Sequence, residues 1–157
     1  MVRAPGEGRR TEGVLVRVRG GLVFRRIPTG DGSAHPFTFD QDEVVDRAGD
    51  LRAFVVAAQD RHQLVDRPVV AMGFSNGANI AAALLLVTPD LLRAAVLAAP
   101  MPILDRPPQA DLSAVAALLI SGRRDPIAAP SDVETLAATL SDAGANVDAT
   151  GLARRGP

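Results

Sequence analysis

The pentapeptide Gly73-Phe74-Ser75-Asn76-Gly77 constrains the fold of this chain more than any other feature. An apolar, strand-like run precedes it at residues 67–72, and an apolar, helix-like run follows it at residues 78–87. A Gly-x-Ser-x-Gly motif at a change from strand to helix is typical of a nucleophile elbow, a sharp turn that exposes a serine hydroxyl above a sheet edge. We therefore predict that Ser75 lies on a strained strand-to-helix turn and is a candidate nucleophile.

The residues around Ser75 fit that chemistry. Glycines at positions 73 and 77 remove β-carbons that are expected to clash in a tight turn. The backbone N–H of Asn76, at the start of the following helix, is expected to point at a developing oxyanion. Glycine and serine are also common in ordinary turns, so a plain strand-to-helix turn stays open as the alternative.

Strand and helix patterns alternate along the rest of the chain. Strands are predicted at Val14–Val18, Arg67–Met72, Ala94–Ala99, Val115–Ile120 and Ala145–Ala149, and helices from about Asp40 to Ala58, at Ala78–Val87 and from Ser131 to Leu140. Ser131 and Glu134 are predicted to form a capping box, and Gly144 to stop that helix. This order predicts one α/β domain over residues 1–157, with a three-layer, mostly parallel sheet of about five strands. Residues 1–12 are predicted to be disordered, and residues 151–157 lie outside the pattern.

Composition excludes several classes of function. The net charge of -1 and the aromatic content of 3% argue against a nucleic-acid partner. The chain has no cysteine and two histidines, so we predict no metal site. No Gly-x-Gly-x-x-Gly or Walker loop follows any predicted strand, so we predict no cofactor. The N-terminus lacks the apolar core of a signal peptide, and no run is long enough to span a membrane, so we expect a cytoplasmic protein. The oligomeric state stays open, a homodimer included.

A second motif, residues 121–127 (Ser-Gly-Arg-Arg-Asp-Pro-Ile), follows the Val115–Ile120 strand. Together with residues 73–81 and the order of elements, it resembles the α/β-hydrolase fold, and in particular the small esterases of the carboxylesterase, lysophospholipase and acyl-thioesterase group. The resemblance implies that Ser75 is the nucleophile, Asp125 the acid of the triad, and a small ester or thioester the substrate. An ordinary Asp-Pro turn remains the alternative for Asp125. Phe74 and Met101 are predicted to line the pocket.

The sequence departs from this family in two places. The family's catalytic histidine follows the last strand, whereas the only histidines here are His35 and His62. We expect His62 to be a solvated helix-end residue, and His35 to be a surface loop residue with a small chance of acting as the base. The family's His-Gly-x-Gly-Gly-like loop, which supplies a second oxyanion donor, is also missing, because Gly20-Gly21 follows a different strand. The fold is therefore predicted to be an incomplete α/β-hydrolase, and the chain a poor serine esterase.

The last residues suggest a cause for the missing catalytic histidine. Read one nucleotide on, the codons of residues 151–157 permit Ala-Trp-His-x-Gly-Gly and then a codon that begins with C, which could be His. Esterases of this group often carry Trp-His and Gly-His there. We hypothesise a frameshift near Thr150. Two alternatives to a weakened esterase stay open: a non-catalytic relative that binds an acyl or aromatic ligand, and a gene fragment without activity of its own.

Overall fold

A computed structural model describes residues 26–28, 37–122, 125 and 127–152 of the chain. The elements, in order, are β1 (Arg26–Pro28), β2 (Phe37–Phe39), α1 (Gln41–Arg61), β3 (Val69–Phe74), α2 (Asn76–Val87), β4 (Leu92–Ala98), β5 (Ala116–Gly122), α3 (Pro130–Asp142) and β6 (Asn146–Leu152). All three predicted helices and four of the five predicted strands are present. The remaining predicted strand, Val14–Val18, lies outside the described residues, as do the N-terminal residues 1–12.

The central sheet has the strand order β3-β4-β5-β6, and every neighbouring pair is parallel. Strands β1 and β2 form a separate antiparallel pair. Because parallel strands all end at the same edge, the segments that follow β3, β4 and β5 meet there. The α/β class and the incomplete, mostly parallel sheet are confirmed.

The hydrophobic core lies between the sheet and its helices. Helix α2 packs on β3 and β4, α3 packs on β5 and β6, and α1 packs on α2. Alternate strand residues face these helices, among them Leu97 of β4 and Leu119 of β5, neither of which is exposed. The described residues thus supply the sheet and one layer of helices from the predicted three-layer arrangement.

The other face of the sheet is apolar and open within the described residues. On β3, Val70, Met72 and Phe74 are 57%, 80% and 73% exposed, and each is in register with apolar residues of β4 and β5. Parallel sheets are normally buried on both faces. This face is therefore the largest departure of the described residues from a finished α/β domain.

Helix α1 begins as predicted, with Asp40 as its N-cap. The Asp40 carboxylate accepts a hydrogen bond from the Glu43 N–H at 3.2 Å, which satisfies one of the free donors of the first turn. The apolar residues that recur at helical spacing along α1 are only partly buried. Val44 and Ala48 are buried, but Val45 and Phe54 are 43% and 49% exposed, because α1 packs mainly on one neighbour, α2.

The predicted capping box of α3 is wrong. The helix begins at Pro130 with Ala129 as its N-cap, so Ser131 already lies inside the first turn. The carboxylate of Asp132 reaches back and accepts from the Ala129 N–H at 3.1 Å. Asp132 therefore forms the capping hydrogen bond that the sequence predicted for Glu134.

The end of α3 is as predicted. Gly144 has a φ of 96°, and a β-carbon added there would lie 3.3 Å from the backbone nitrogen of Ser113, so both conformation and space favour glycine. Strand β6 then runs through Leu152, which extends it two residues into the predicted off-pattern tail. Within the described ranges, no helix has the length and apolar character needed to cross a membrane.

Candidate active site

Ser75 lies on the turn between β3 and α2. Its backbone has φ 52° and ψ -120°, a conformation that residues other than glycine rarely adopt and that costs about 1–3 kcal/mol. The residue is half-buried. The predicted strained strand-to-helix elbow is therefore present at this serine.

The two glycines of the motif differ in their steric role. A β-carbon added to Gly73 would overlap the backbone of Gly77 and Ala78, because the first turn of α2 passes directly over it. A β-carbon added to Gly77 would meet no atom of the described residues within 4 Å. The expectation that both glycines prevent a clash is thus right for Gly73 and wrong for Gly77.

The elbow is attached to the end of the neighbouring strand β4. The Ser75 N–H donates to the Ala98 carbonyl at 2.8 Å, and the Ala99 N–H donates to the Ile120 carbonyl of β5 at 2.7 Å. Ala99 itself has a φ of 50°. Three strand ends are therefore tied together beneath Ser75, which fixes the turn relative to the sheet.

Asn76 is the first residue of α2. The N–H groups of a helix's first turn have no acceptor within the helix, and they carry the positive end of the helix dipole. The Asn76 N–H follows Ser75 directly, so it belongs to this set of free donors. That is the chemistry that an oxyanion donor needs.

Asp125 follows β5, at the same sheet edge as Ser75. Its N–H donates to the Gly122 carbonyl at 3.0 Å, and its Oδ1 accepts from the N–H groups of Ile127 and Ala128 at 2.9 and 3.0 Å. These bonds fix the carboxylate through one oxygen. Because β5 is two strands from β3, the ends of the two strands lie roughly 10 Å apart, and a third side chain would have to bridge Ser75 and Asp125.

The model of one family, described as serine aminopeptidase, S33, matches residues 28–112, which is more than half of the chain and includes the Ser75 elbow. The chain belongs to this hydrolase family. Its elbow and its parallel sheet are thus the corresponding parts of an α/β-hydrolase.

Individual relatives extend the comparison beyond residues 28–112. Bacillus subtilis (strain 168) MhqD, which is named as a hydrolase, is 33% identical over 132 residues, 84% of this chain and 66% of MhqD. The solved Bacillus cereus carboxylesterase is 33% identical with a TM-score of 0.73, over 83% of this chain and 58% of that one. A Mesorhizobium loti carboxylesterase is 36% identical with a TM-score of 0.70, over 80% and 62%. The chain therefore spans about three fifths to two thirds of the lengths of these relatives.

The described residues place no histidine beside Ser75. His62 is exposed and forms the C-cap of α1, seven residues before β3 begins. Ser75 follows the opposite end of β3, a strand of six residues that spans about 20 Å. His62 is thus a solvated helix-end residue, as expected. His35 lies outside the described residues.

The two predicted pocket residues differ in exposure. Phe74 is 73% exposed, and its register with Ala98 places it on the open face of the sheet. Met101 is only 9% exposed. A pocket that both residues line stays a prediction.

Within the described ranges, no group of three or more acidic or histidine side chains lies close enough to hold a metal ion.

Asn79 is a residue of the site for which the sequence analysis predicted no role. It is 2% exposed and lies one helical turn after Ser75, where its side chain accepts a hydrogen bond from the Met101 N–H at 2.8 Å. A polar residue in the otherwise apolar run Ala78–Leu86 is the signal that marks it.

Proposed function

We propose that this chain carries the nucleophile and the acid of a serine carboxylesterase that cleaves small ester or thioester substrates. Ser75 is the nucleophile, the Asn76 N–H is one oxyanion donor, and Asp125 is the acid. The observation that carries the proposal is the positive φ of Ser75 at the turn from β3 to α2. A strained serine at that point, in a chain of this hydrolase family, is best explained by nucleophilic catalysis.

In the proposed reaction, Ser75 Oγ attacks the carbonyl carbon, and its proton passes to a base. The carbonyl oxygen becomes an oxyanion that accepts from the Asn76 N–H. The tetrahedral intermediate then expels the alcohol or thiol, which leaves an acyl group on Ser75, and water hydrolyses that acyl-enzyme. Asp125 would hold a histidine base through the carboxylate oxygen that its own turn does not use, and would stabilise the charged form of that histidine.

The proposal includes a low rate of ester hydrolysis for this chain. Its two histidines are His35 and His62, and His62 lies at the opposite edge of the sheet. Loss of a triad histidine reduces kcat by about a million-fold in a well-studied serine hydrolase. Ser75 would therefore react slowly, through water acting as the base.

A fluorophosphonate probe tests the nucleophile directly, because it phosphonylates an activated serine and the adduct can be located by mass spectrometry. We expect slow labelling, over hours, at Ser75. Ser75→Ala should abolish the adduct, and Ser113→Ala, which removes an exposed serine near Asp111, should leave it unchanged. Labelling at another serine with Ser75 unmodified would contradict the assignment.

One observation favours a second candidate, a non-catalytic relative that binds an acyl or aromatic ligand. The described residues place exposed Phe74 beside Ser75 but no base. Titration of the chain with a non-hydrolysable acyl analogue tests this function. Saturable binding together with no Ser75 adduct would favour the second candidate over the first.

A further inference from the structure

Asn79 connects two segments that border the candidate site. It is the fourth residue of α2, and its backbone N–H donates to the Ser75 carbonyl at 2.9 Å. Its side-chain Oδ1 accepts from the Met101 N–H at 2.8 Å, in the loop that follows β4. One residue therefore holds both the backbone of the elbow and the neighbouring loop.

The start of the loop that Asn79 holds has one backbone N–H donor, whereas its later residues are held by Gln41, which donates to the Ile103 carbonyl at 3.1 Å and accepts from the Asp105 N–H at 2.8 Å. Pro100 and Pro102 have no backbone N–H, so Met101 carries the sole N–H donor of residues 100–102. Immediately before them, Ala99 has a φ of 50°, which favours relaxation away from the observed conformation. The hydrogen bond from Met101 to Asn79 opposes that relaxation.

Packing alone does not call for an asparagine at this point of α2. The buried residues around Asn79 on the helix are alanines, leucines and Ile80, and burying an amide among them is unfavourable unless it is hydrogen-bonded. Packing therefore does not explain an asparagine here. Its acceptor oxygen does, because without it the buried Met101 N–H would lose its partner.

We propose that Asn79 is a positioning residue, which holds the loop after β4 against the nucleophile helix and so fixes the wall of the site beside Ser75. The effect on reactivity rests on the proposed function of Ser75. The effect on the loop does not.

Amide hydrogen exchange, followed residue by residue by NMR, tests the loop. The Met101 amide reports on the hydrogen bond to Asn79, and the Leu119 amide of β5 reports on the fold as a whole. We expect Asn79→Leu to accelerate exchange of the Met101 amide at least about tenfold relative to the Leu119 amide. Asn79→Asp keeps an acceptor oxygen at the same point but adds a buried charge, which can destabilise the whole fold. The rate of the Met101 amide relative to the Leu119 amide should therefore stay within about threefold of its value in the parent chain. Ile80→Val, a matched control on the next residue, should change both amides equally.

If Met101 and Leu119 accelerate in step in Asn79→Leu, the residue has only a general structural role and the proposal is wrong. Asn79→Ala, which removes the acceptor with less strain, gives the same comparison if the leucine variant does not fold. The labelling rate of Ser75 provides the second measurement. We expect it to fall about tenfold in Asn79→Leu and to be restored in Asn79→Asp. Absent labelling in the parent chain would refute the proposed function, whereas an unchanged Met101 amide would refute the role of Asn79.

Discussion

Gly73 and Gly77 are the two glycines that define the motif, but they have different physical roles. Helix α2 starts so abruptly after Ser75 that its first turn occupies the space above Gly73. The space around Gly77 is open among the described residues, and Gly77 lies in the helix itself. The close approach of α2 to β3, rather than local turn geometry alone, therefore determines where glycine is required.

We predict that Gly73→Ala lowers the free energy of unfolding by about 3 kcal/mol or more, because backbone atoms of Gly77 and Ala78 would have to move. Gly77→Ala is the matched control. It should leave stability unchanged or raise it by up to about 1 kcal/mol, since alanine is the better helix former. Urea denaturation of both variants measures the difference. Equal effects at the two positions would mean that the elbow does not close as described.

At the scale of elements, the start of α3 depends on a single carboxylate. Asp132 is 6% exposed and accepts from the Ala129 N–H, a donor that precedes the first helical turn. Glu134 is exposed, although the sequence favoured it as the capping residue. The two acids therefore provide a test of which residue caps the helix.

Asp132→Ala is expected to lower the free energy of unfolding by about 1 kcal/mol, because a helix-capping hydrogen bond is lost. Glu134→Ala should change it by no more than about 0.5 kcal/mol, as for other exposed substitutions. Thermal unfolding of the two variants under identical conditions provides the comparison. A larger loss in Glu134→Ala would restore the capping box that the sequence indicated.

The open face of the sheet leads to a second prediction at the scale of elements. Met72 is 80% exposed on β3, whereas Leu97, on the neighbouring strand, is fully buried against the helices. Met72→Ala should therefore cost less than about 0.5 kcal/mol, and Leu97→Ala about 2–5 kcal/mol. Denaturant titrations measure both costs. A cost above 2 kcal/mol for Met72→Ala would mean that this face is covered in solution.

The features that the sequence predicts correctly depend on neighbouring residues, and the features that depend on distant residues are missed. The capping box of α3 is an exception among the local features, because the sequence predicts it wrongly. The elbow at Ser75 follows from a local change of period, and the helix stop at Gly144 from local turn chemistry. The hydrogen bond between Asn79 and Met101 joins residues 22 positions apart. The exposure of Val70 could not be predicted from the sequence either. An apolar run indicates a buried strand, but it does not show which element covers each face of that strand.

At the scale of the whole molecule, the site is an arrangement of two fixed groups with a gap between them. Ser75 and Asp125 lie at one sheet edge, two strands apart, and the segment between them is the end of β4. A triad needs an imidazole in that gap. The described residues supply the elbow, the proposed acid and a helix N-terminus, and the proposed weak activity follows from the base that they do not supply.

The most direct test of this account is the hydrolysis of p-nitrophenyl acetate by the parent chain and by Ser75→Ala, with and without added imidazole as a diffusible base. We expect little turnover without imidazole, and with imidazole an increase above the buffer reaction that Ser75→Ala removes. Rapid hydrolysis without imidazole that Ser75→Ala abolishes would contradict the missing base and direct attention to His35. Hydrolysis that survives Ser75→Ala would contradict the assignment of the nucleophile.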